Sequence, residues 1–219
     1  VKILCPFLLL CACFFSLITS CNGKKEERLE GGLGSLDLSP NDSDFVFSYY
    51  DKNEVSMIYM GNLNENKYEN ILSSSNDTSY VMPKYSPTGE QIVFFAFPKD
   101  KKTSNIFISD KFGKYKRQIT FQDQLITEAI FSSYSNKIYY IKATAYKSYS
   151  PIGRASPHEM DIYQMDLNTL EEEKITHINS YGIYNLSEVA QGSHLLARII
   201  YSKGIGLHNI SLNNKDDIK

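Results

Sequence analysis

Ser86-Pro87-Thr88-Gly89-Glu90-Gln91-Ile92-Val93-Phe94-Phe95 joins a tight-turn signal to an unbroken apolar run. Proline presets φ for the turn, and glycine supplies the positive φ that closes it. β-Branched and aromatic residues packed this densely read as a short strand covered on both faces. A second run, Asn105-Ile106-Phe107-Ile108, follows, and Gln118-Ile119-Thr120 closes the unit.

Outward from this stretch the same plan recurs. An earlier copy is Ser39-Pro40-Asn41-Asp42-Ser43-Asp44-Phe45-Val46-Phe47, with Ser56-Met57-Ile58-Tyr59 and Asn70-Ile71-Leu72 behind it. A later one is Ser132-Ser133-Tyr134-Ser135-Asn136-Lys137-Ile138-Tyr139-Tyr140, then Asp161-Ile162-Tyr163, then Lys174-Ile175-Thr176. The opening serines lie 47 and 46 residues apart. That period predicts one supersecondary unit per repeat, with faces buried only by stacking on neighbours. A fourth copy, Val189-Ala190-Gln191-Gly192-Ser193-His194-Leu195-Leu196, keeps the glycine without the Ser-Pro and continues to Gly206-Leu207-His208-Asn209-Ile210. Asp217-Ile218-Lys219 is expected to begin its last strand. No stretch after residue 35 sustains a helical apolar period.

Ser-Pro-Thr-Gly-Glu-Gln-Ile-Val-Phe, Asn-Ile-Phe-Ile-Ser-Asp and Arg-Gln-Ile-Thr together resemble the TolB-type, WD40-like β-propeller repeat. Thr88 stands where that pattern has Asp, copy one has Asn41-Asp42 for Asp-Gly, and copy three lacks both proline and glycine. The resemblance implies an all-β fold, a propeller of about four TolB-like blades over residues 36–219. Propellers close with about four to eight blades, and the class resembled here closes with six, so an incomplete ring is expected. A generic β-sandwich is the rival architecture, and the fixed period argues against it.

The first residues concern location. Lys2 precedes an apolar stretch, residues 3–18, of the length and flanks of a secretory signal helix. Its end, Leu17-Ile18-Thr19-Ser20-Cys21, resembles a bacterial lipobox, which implies cleavage after residue 20 and lipidation of Cys21. Cys5, Cys11 and Cys13 lie in the removable leader, so the remaining chain has one cysteine and no internal disulfide framework. Lipid chains contribute about 0.8 kcal/mol per buried methylene, and several together hold firmly. Residues 21–35 form a lipid-anchored linker, in which Lys24-Lys25-Glu26-Glu27 reads either as a surface-export signal or as a plain solvated run. The expected location is the cell envelope, on the outer membrane at its periplasmic face or the cell surface.

The formal charge is −2, one unit more negative without Lys2. No basic stripe appears, which argues against nucleic acid as a partner. Nucleophilic hydrolysis has no Gly-x-Ser-x-Gly elbow to rest on, and Gly192-Ser193-His194 lacks the strand-to-helix frame. His158, His177, His194 and His208 are isolated from one another, so no metal and no cofactor is expected. Asn41-Asp42-Ser43-Asp44 lacks the glycine and distal glutamate of a calcium loop.

One segment breaks the repeat: residues 142–160 span an interval that copy two covers with residues 96–104. Loops longer than about 12–15 residues are more often functional than short ones. Tyr146, Tyr149, Arg154 and His158 are therefore the binding candidates, with an edge-covering loop as the plain alternative. The expected function is non-enzymatic, a membrane-anchored propeller that binds a protein or peptide, and the TolB resemblance implies an envelope role through protein contacts. A glycan-binding or glycan-processing propeller using Glu128, Glu159 or Asp161 is the alternative, as is a truncated remnant.

Overall fold

The serine that opens each repeat holds its turn shut. The N–H of Ser39, Ser86 and Ser132 donates to the carbonyl five residues on, of Asp44, Gln91 and Lys137, at 2.9, 2.8 and 2.9 Å. The Ser39 and Ser86 hydroxyls accept from the N–H of Asp44 and Gln91 at 2.9 and 3.1 Å, and Ser132 Oγ accepts from Tyr134 and Ser135. All three serines are buried. Gly89 takes the positive φ of the turn at +73°, and in copy one Asp42 takes it at 54°. Asp is among the few side chains that tolerate this region.

The computed structural model describes residues 31–213, apart from Asn76, Asp100, Asp123, Tyr149, Ser150, Ser202 and Lys203. The predicted leader 1–20, Cys21, the Lys24–Glu27 charge run, Tyr149 and Asp217-Ile218-Lys219 lie outside these residues. Within them the chain is all-β and builds four antiparallel blades. Blade one is β1 (Gly32–Leu38), β2 (Asp44–Tyr50), β3 (Ser56–Asn62) and β4 (Lys67–Leu72). Blade two is β5 (Thr78–Tyr85), β6 (Gln91–Pro98), β7 (Asn105–Asp110) and β8 (Arg117–Gln118). Blade three is β9 (Leu125–Phe131), β10 (Lys137–Lys147), β11 (Ser156–Asp166) and β12 (Glu172–Lys174). Blade four comprises β13 (Gly182–Val189), β14 (His194–Tyr201) and β15 (Gly204–Ser211). The helical content among the described residues is a single 3-10 turn, Ala190–Gly192.

Each blade therefore has a strand ahead of the turn that the repeat reading did not include. These first strands contact one another in series, β1 on β5, β5 on β9 and β9 on β13, so they surround the axis. β1 begins at Gly32, inside the segment read as linker. Each first strand carries a register shift against its partner, as between Val81 and Lys84 or between Tyr184 and Ser187. Such bulges bend a strand and re-aim its side chains.

Three apolar interfaces join the blades: Val46, Ile58, Ile92 and Phe94 between one and two; Val93, Phe95, Ile138 and Tyr140 between two and three; Ile141, Ile162, Leu195 and Ile199 between three and four. Full burial of one such side chain contributes about 1.5–3 kcal/mol. A stacked aromatic pair sits at one cross-strand position of three blades: Phe47 on Tyr59, Phe94 on Phe107 and Tyr140 on Tyr163, with centroids 5.4, 5.8 and 5.8 Å apart. The repeat's closing threonines are clasps. Thr120 Oγ1 accepts from Ile106 N–H at 2.9 Å, and Thr176 Oγ1 accepts from Ile162 N–H at 2.9 Å.

Residues 142–160 are a ladder for most of their length. β10 and β11 stay paired out to Lys147 opposite Ser156, whereas the last pair of β6 and β7 is Ala96 opposite Asn105. What the sequence presented as a long loop is an extended hairpin. Its alternating Ala143, Ala145 and His158, Met160 give two strands enough side-chain contact to continue.

Candidate functional site

The residue two before each turn opener comes from a first strand: Asp37 in β1, Lys84 in β5 and Ile130 in β9. In blade four, where Val189 pairs with His194 across the turn, the equivalent residue is Ser187. All four line one cavity of about 310 Å³, together with Leu38, Tyr85, Phe131 and Glu188. This axial cavity opens at the blade ends that carry the turns between first and second strands.

Carboxylates stitch its rim across blades. Lys84 Nζ lies 3.0 Å from Asp37 Oδ1, and Tyr85 N–H donates to Asp37 Oδ2 at 2.8 Å, tying blade two to blade one. Glu188 accepts from Ser132 Oγ at 2.7 Å and from Ser133 N–H at 2.5 Å, tying blade four to blade three. Glu128 Oε1 accepts from Leu186 N–H at 3.0 Å across the same boundary. Burial pushes the Glu128 carboxyl above the usual glutamate range, against its hydrogen bonds to Leu186 and Asn185 and the charge of Lys84. Tyr85 is nine-tenths buried, and its hydroxyl has no partner among the described residues. Desolvation raises that phenol, helped by Asp44 and Asp37. The Tyr139 hydroxyl is likewise raised, first by burial and then by the charge of Glu188.

The cavity offers hydrogen-bonding and ionic contacts at fixed positions. Among the described residues no group of three or more His, Cys, Asp or Glu is arranged to hold a metal ion.

Three of the four predicted binding residues lie elsewhere. In an antiparallel blade, the turn joining second and third strands falls at the end opposite the first turn, so the β10–β11 hairpin points away from the axial cavity. Tyr146, on β10, is 39% exposed, with Lys102 Nζ from blade two 4.6 Å above its ring. Arg154 is exposed beside the hairpin end. His158, on β11, places Nδ1 3.0 Å from the Tyr181 carbonyl and Nε2 3.1 Å from Ser156 Oγ. Tyr146 and His158 thus bridge to the neighbouring blades on either side.

The three carboxylates of the glycan reading have separate partners. Asp161 is fully buried and holds Thr176 Oγ1, the N–H of Ile178 and Lys174 Nζ at 2.9, 2.7 and 2.8 Å. Glu159 pairs with Lys147 on the hairpin, and Glu128 sits on the first strand of blade three.

The axial ring was visible in the sequence only as a register. Asp37, Lys84 and Ile130 share one repeat position while differing in charge and polarity, so no composition signal marks them.

No protein-family model matches the chain, and no curated protein matches it in sequence. Solved structures do match. TolB from Acinetobacter baumannii aligns with 84% of this chain and 42% of its own at 16% identity, with a TM-score of 0.65. A putative TolB from Agrobacterium tumefaciens aligns with 68% of this chain and 50% of its own at 17% identity and a TM-score of 0.51. The fold is a TolB-like β-propeller. Oligogalacturonate lyase from Vibrio parahaemolyticus shares it over 88% of this chain and 54% of its own, at 13% identity and a TM-score of 0.63. This chain thus spans between 42% and 54% of the length of these TolB-like and lyase structures. One propeller scaffold serves a TolB and a lyase, so the fold leaves the activity to the site.

Proposed function

We propose that this chain is a lipid-anchored envelope protein whose TolB-like propeller binds a protein or peptide through the blade ends that surround the axial cavity. The observation that carries this reading is the convergence of Asp37, Lys84, Ile130 and Ser187, one equivalent residue per blade, on a single polar cavity. The cavity they line supplies donors and acceptors at fixed positions, which suits recognition. The extended hairpin of blade three, with Tyr146, Arg154 and His158, is a second contact surface at the opposite end. Cys21 carries the anchor, and the lipobox-like Leu17-Ile18-Thr19-Ser20-Cys21 supports that assignment.

A photo-crosslinking residue placed at Ser187 in intact cells tests the recognition site. A discrete protein adduct is expected, and its loss in Lys84→Glu ties it to the cavity. Absence of any adduct from Ser187 rejects the site. Metabolic labelling with a palmitate analogue tests the anchor separately: the label is expected on the full chain and lost in Cys21→Ala.

A further inference from the structure

Two more cavities continue the axial one outward. The axial cavity shares Pro40 with one of about 180 Å³, which is lined by the first turns of blades one and two. That cavity shares Asp44 and Lys111 with a third of about 420 Å³, bounded by Tyr68, Glu69 and Phe112. With wall residues in common, the three cavities adjoin in a radial series that forms a groove. It runs from the axis to the rim along the boundary of blades one and two, at the end where both sets of turns lie.

Its charge is one-sided. Three lysines line it, and each is already paired: Lys67 with Glu65 at 3.1 Å, Lys84 with Asp37 at 3.0 Å and Lys111 with Glu90 at 3.0 Å. Asp44, Glu69 and Glu188 line it too, and none of them pairs with a lysine or arginine among the described residues. Asp44 accepts from Asn62 Nδ2 and Glu188 from Ser132 and Ser133, so both carboxylates are held in place by uncharged donors. At the rim, Tyr68 and Phe112 are 44% and 48% exposed; Lys111 Nζ lies 5.4 Å from the Phe112 ring centroid, a cation–aromatic contact made within the chain at the edge of the cavity. Tyr85, whose hydroxyl has no partner among the described residues, lines the axial end, and the carboxylates that act on its phenol are Asp44 and Asp37, both groove residues.

We propose that this groove binds an extended peptide segment rich in lysine or arginine. The proposal rests on the protein-binding reading above and adds the chemistry of the bound segment. An extended chain can follow a radial series of adjoining cavities. Its basic side chains would meet Glu188 near the axis, Asp44 midway and Glu69 at the rim. Complementary charge of this kind raises the association rate and falls with added salt.

Fluorescence anisotropy with the full chain in detergent tests it, using a labelled peptide of repeated Lys-Thr-Tyr-Thr units and a counterpart with Glu for Lys. Saturable binding of the lysine peptide, none of the glutamate peptide and weakening with salt are expected. Glu69→Lys should weaken binding about tenfold. Glu171→Lys makes the same charge change on an outer turn of blade three, at the same end of the blades, and should leave affinity unchanged. Equal affinity for the two peptides, no binding of either, or equal losses in the two variants overturns the proposal. If the lysine peptide fails while Ser187 still crosslinks a protein, the groove chemistry falls and the protein-binding reading stands.

Discussion

Blades two and three share a plan and differ in how they are fastened. In blade two the clasp is an amide: Asn105 faces Thr120 at 3.2 Å, and with its amide turned it also donates to the carbonyls of Thr120 and Gln122. In blade three the same position is Asp161, fully buried, gathering Thr176 Oγ1, the N–H groups of Ile178 and Asn179, and Lys174. The first turns differ as well, since Gly89 has no counterpart in Ser132–Asn136. So do the far hairpins and the residue four before the turn, Met82 in blade two and Glu128 in blade three. One geometry is thus reached by neutral and by ionic chemistry. The ionic version carries the larger penalty when half of it is removed.

Asp161→Ala is expected to have the largest effect. It strands Lys174, a threonine hydroxyl and two backbone donors, at a cost of about 3–5 kcal/mol read as a lower urea midpoint. Asp161→Asn should lose less, because it gives blade three the clasp of blade two. Next comes Asn105→Ala, which leaves neutral groups unpaired and should cost about 1–3 kcal/mol by the same measurement. Equal losses at 105 and 161 would erase the distinction between the two clasps.

Gly89→Ala should cost about 1 kcal/mol in thermal unfolding, because it forces a side chain to φ +73° with its Cβ 3.2 Å from Pro40 Cδ. Ser135→Gly, in the glycine-free turn of blade three, should not repay that amount. Shortening the β10–β11 hairpin to the length of β6–β7 removes mainly exposed residues and should shift stability by no more than about 0.5 kcal/mol. Loss of a bound partner in that variant would make the hairpin the contact surface in place of the axial cavity.

The smallest effect is electrostatic and confined to blade three. Burial raises the Glu128 carboxyl above its unfolded value, so the folded chain holds that proton more tightly. Stability from this group therefore falls as pH rises from the ordinary glutamate range through the raised folded value, and it levels off above. Glu128→Gln should flatten that slope in denaturant melts taken across the window. Met82→Gln, at the equivalent position of blade two, should leave the slope unchanged.

The parts legible in the sequence are those whose partners lie close along the chain. Ser86 meets Gln91 five residues on, and Ile92-Val93-Phe94-Phe95 is buried on both faces, so turn and strand could be read together. The clasp is half legible: Asn105 and Thr120 are both landmarks of the repeat, although neither spacing nor residue type reveals that they touch. The first strands were missed because they carry a bulge and one side toward the axis. Their pattern is broken, as in Tyr80-Val81-Met82-Pro83-Lys84-Tyr85, where Met82 sits at φ 55° ahead of a proline.

By itself the sequence determined the repeat length, the turn chemistry, the doubly covered strands and the resemblance that named the propeller, because each depends on residues within one blade. Only the tertiary structure decided that Asp37, Lys84, Ile130 and Ser187 share a cavity and that the long segment after Ile141 is a hairpin directed the other way. Those facts depend on how blades stack about an axis. Residues a full repeat apart become neighbours there, and no local preference encodes which of them meet.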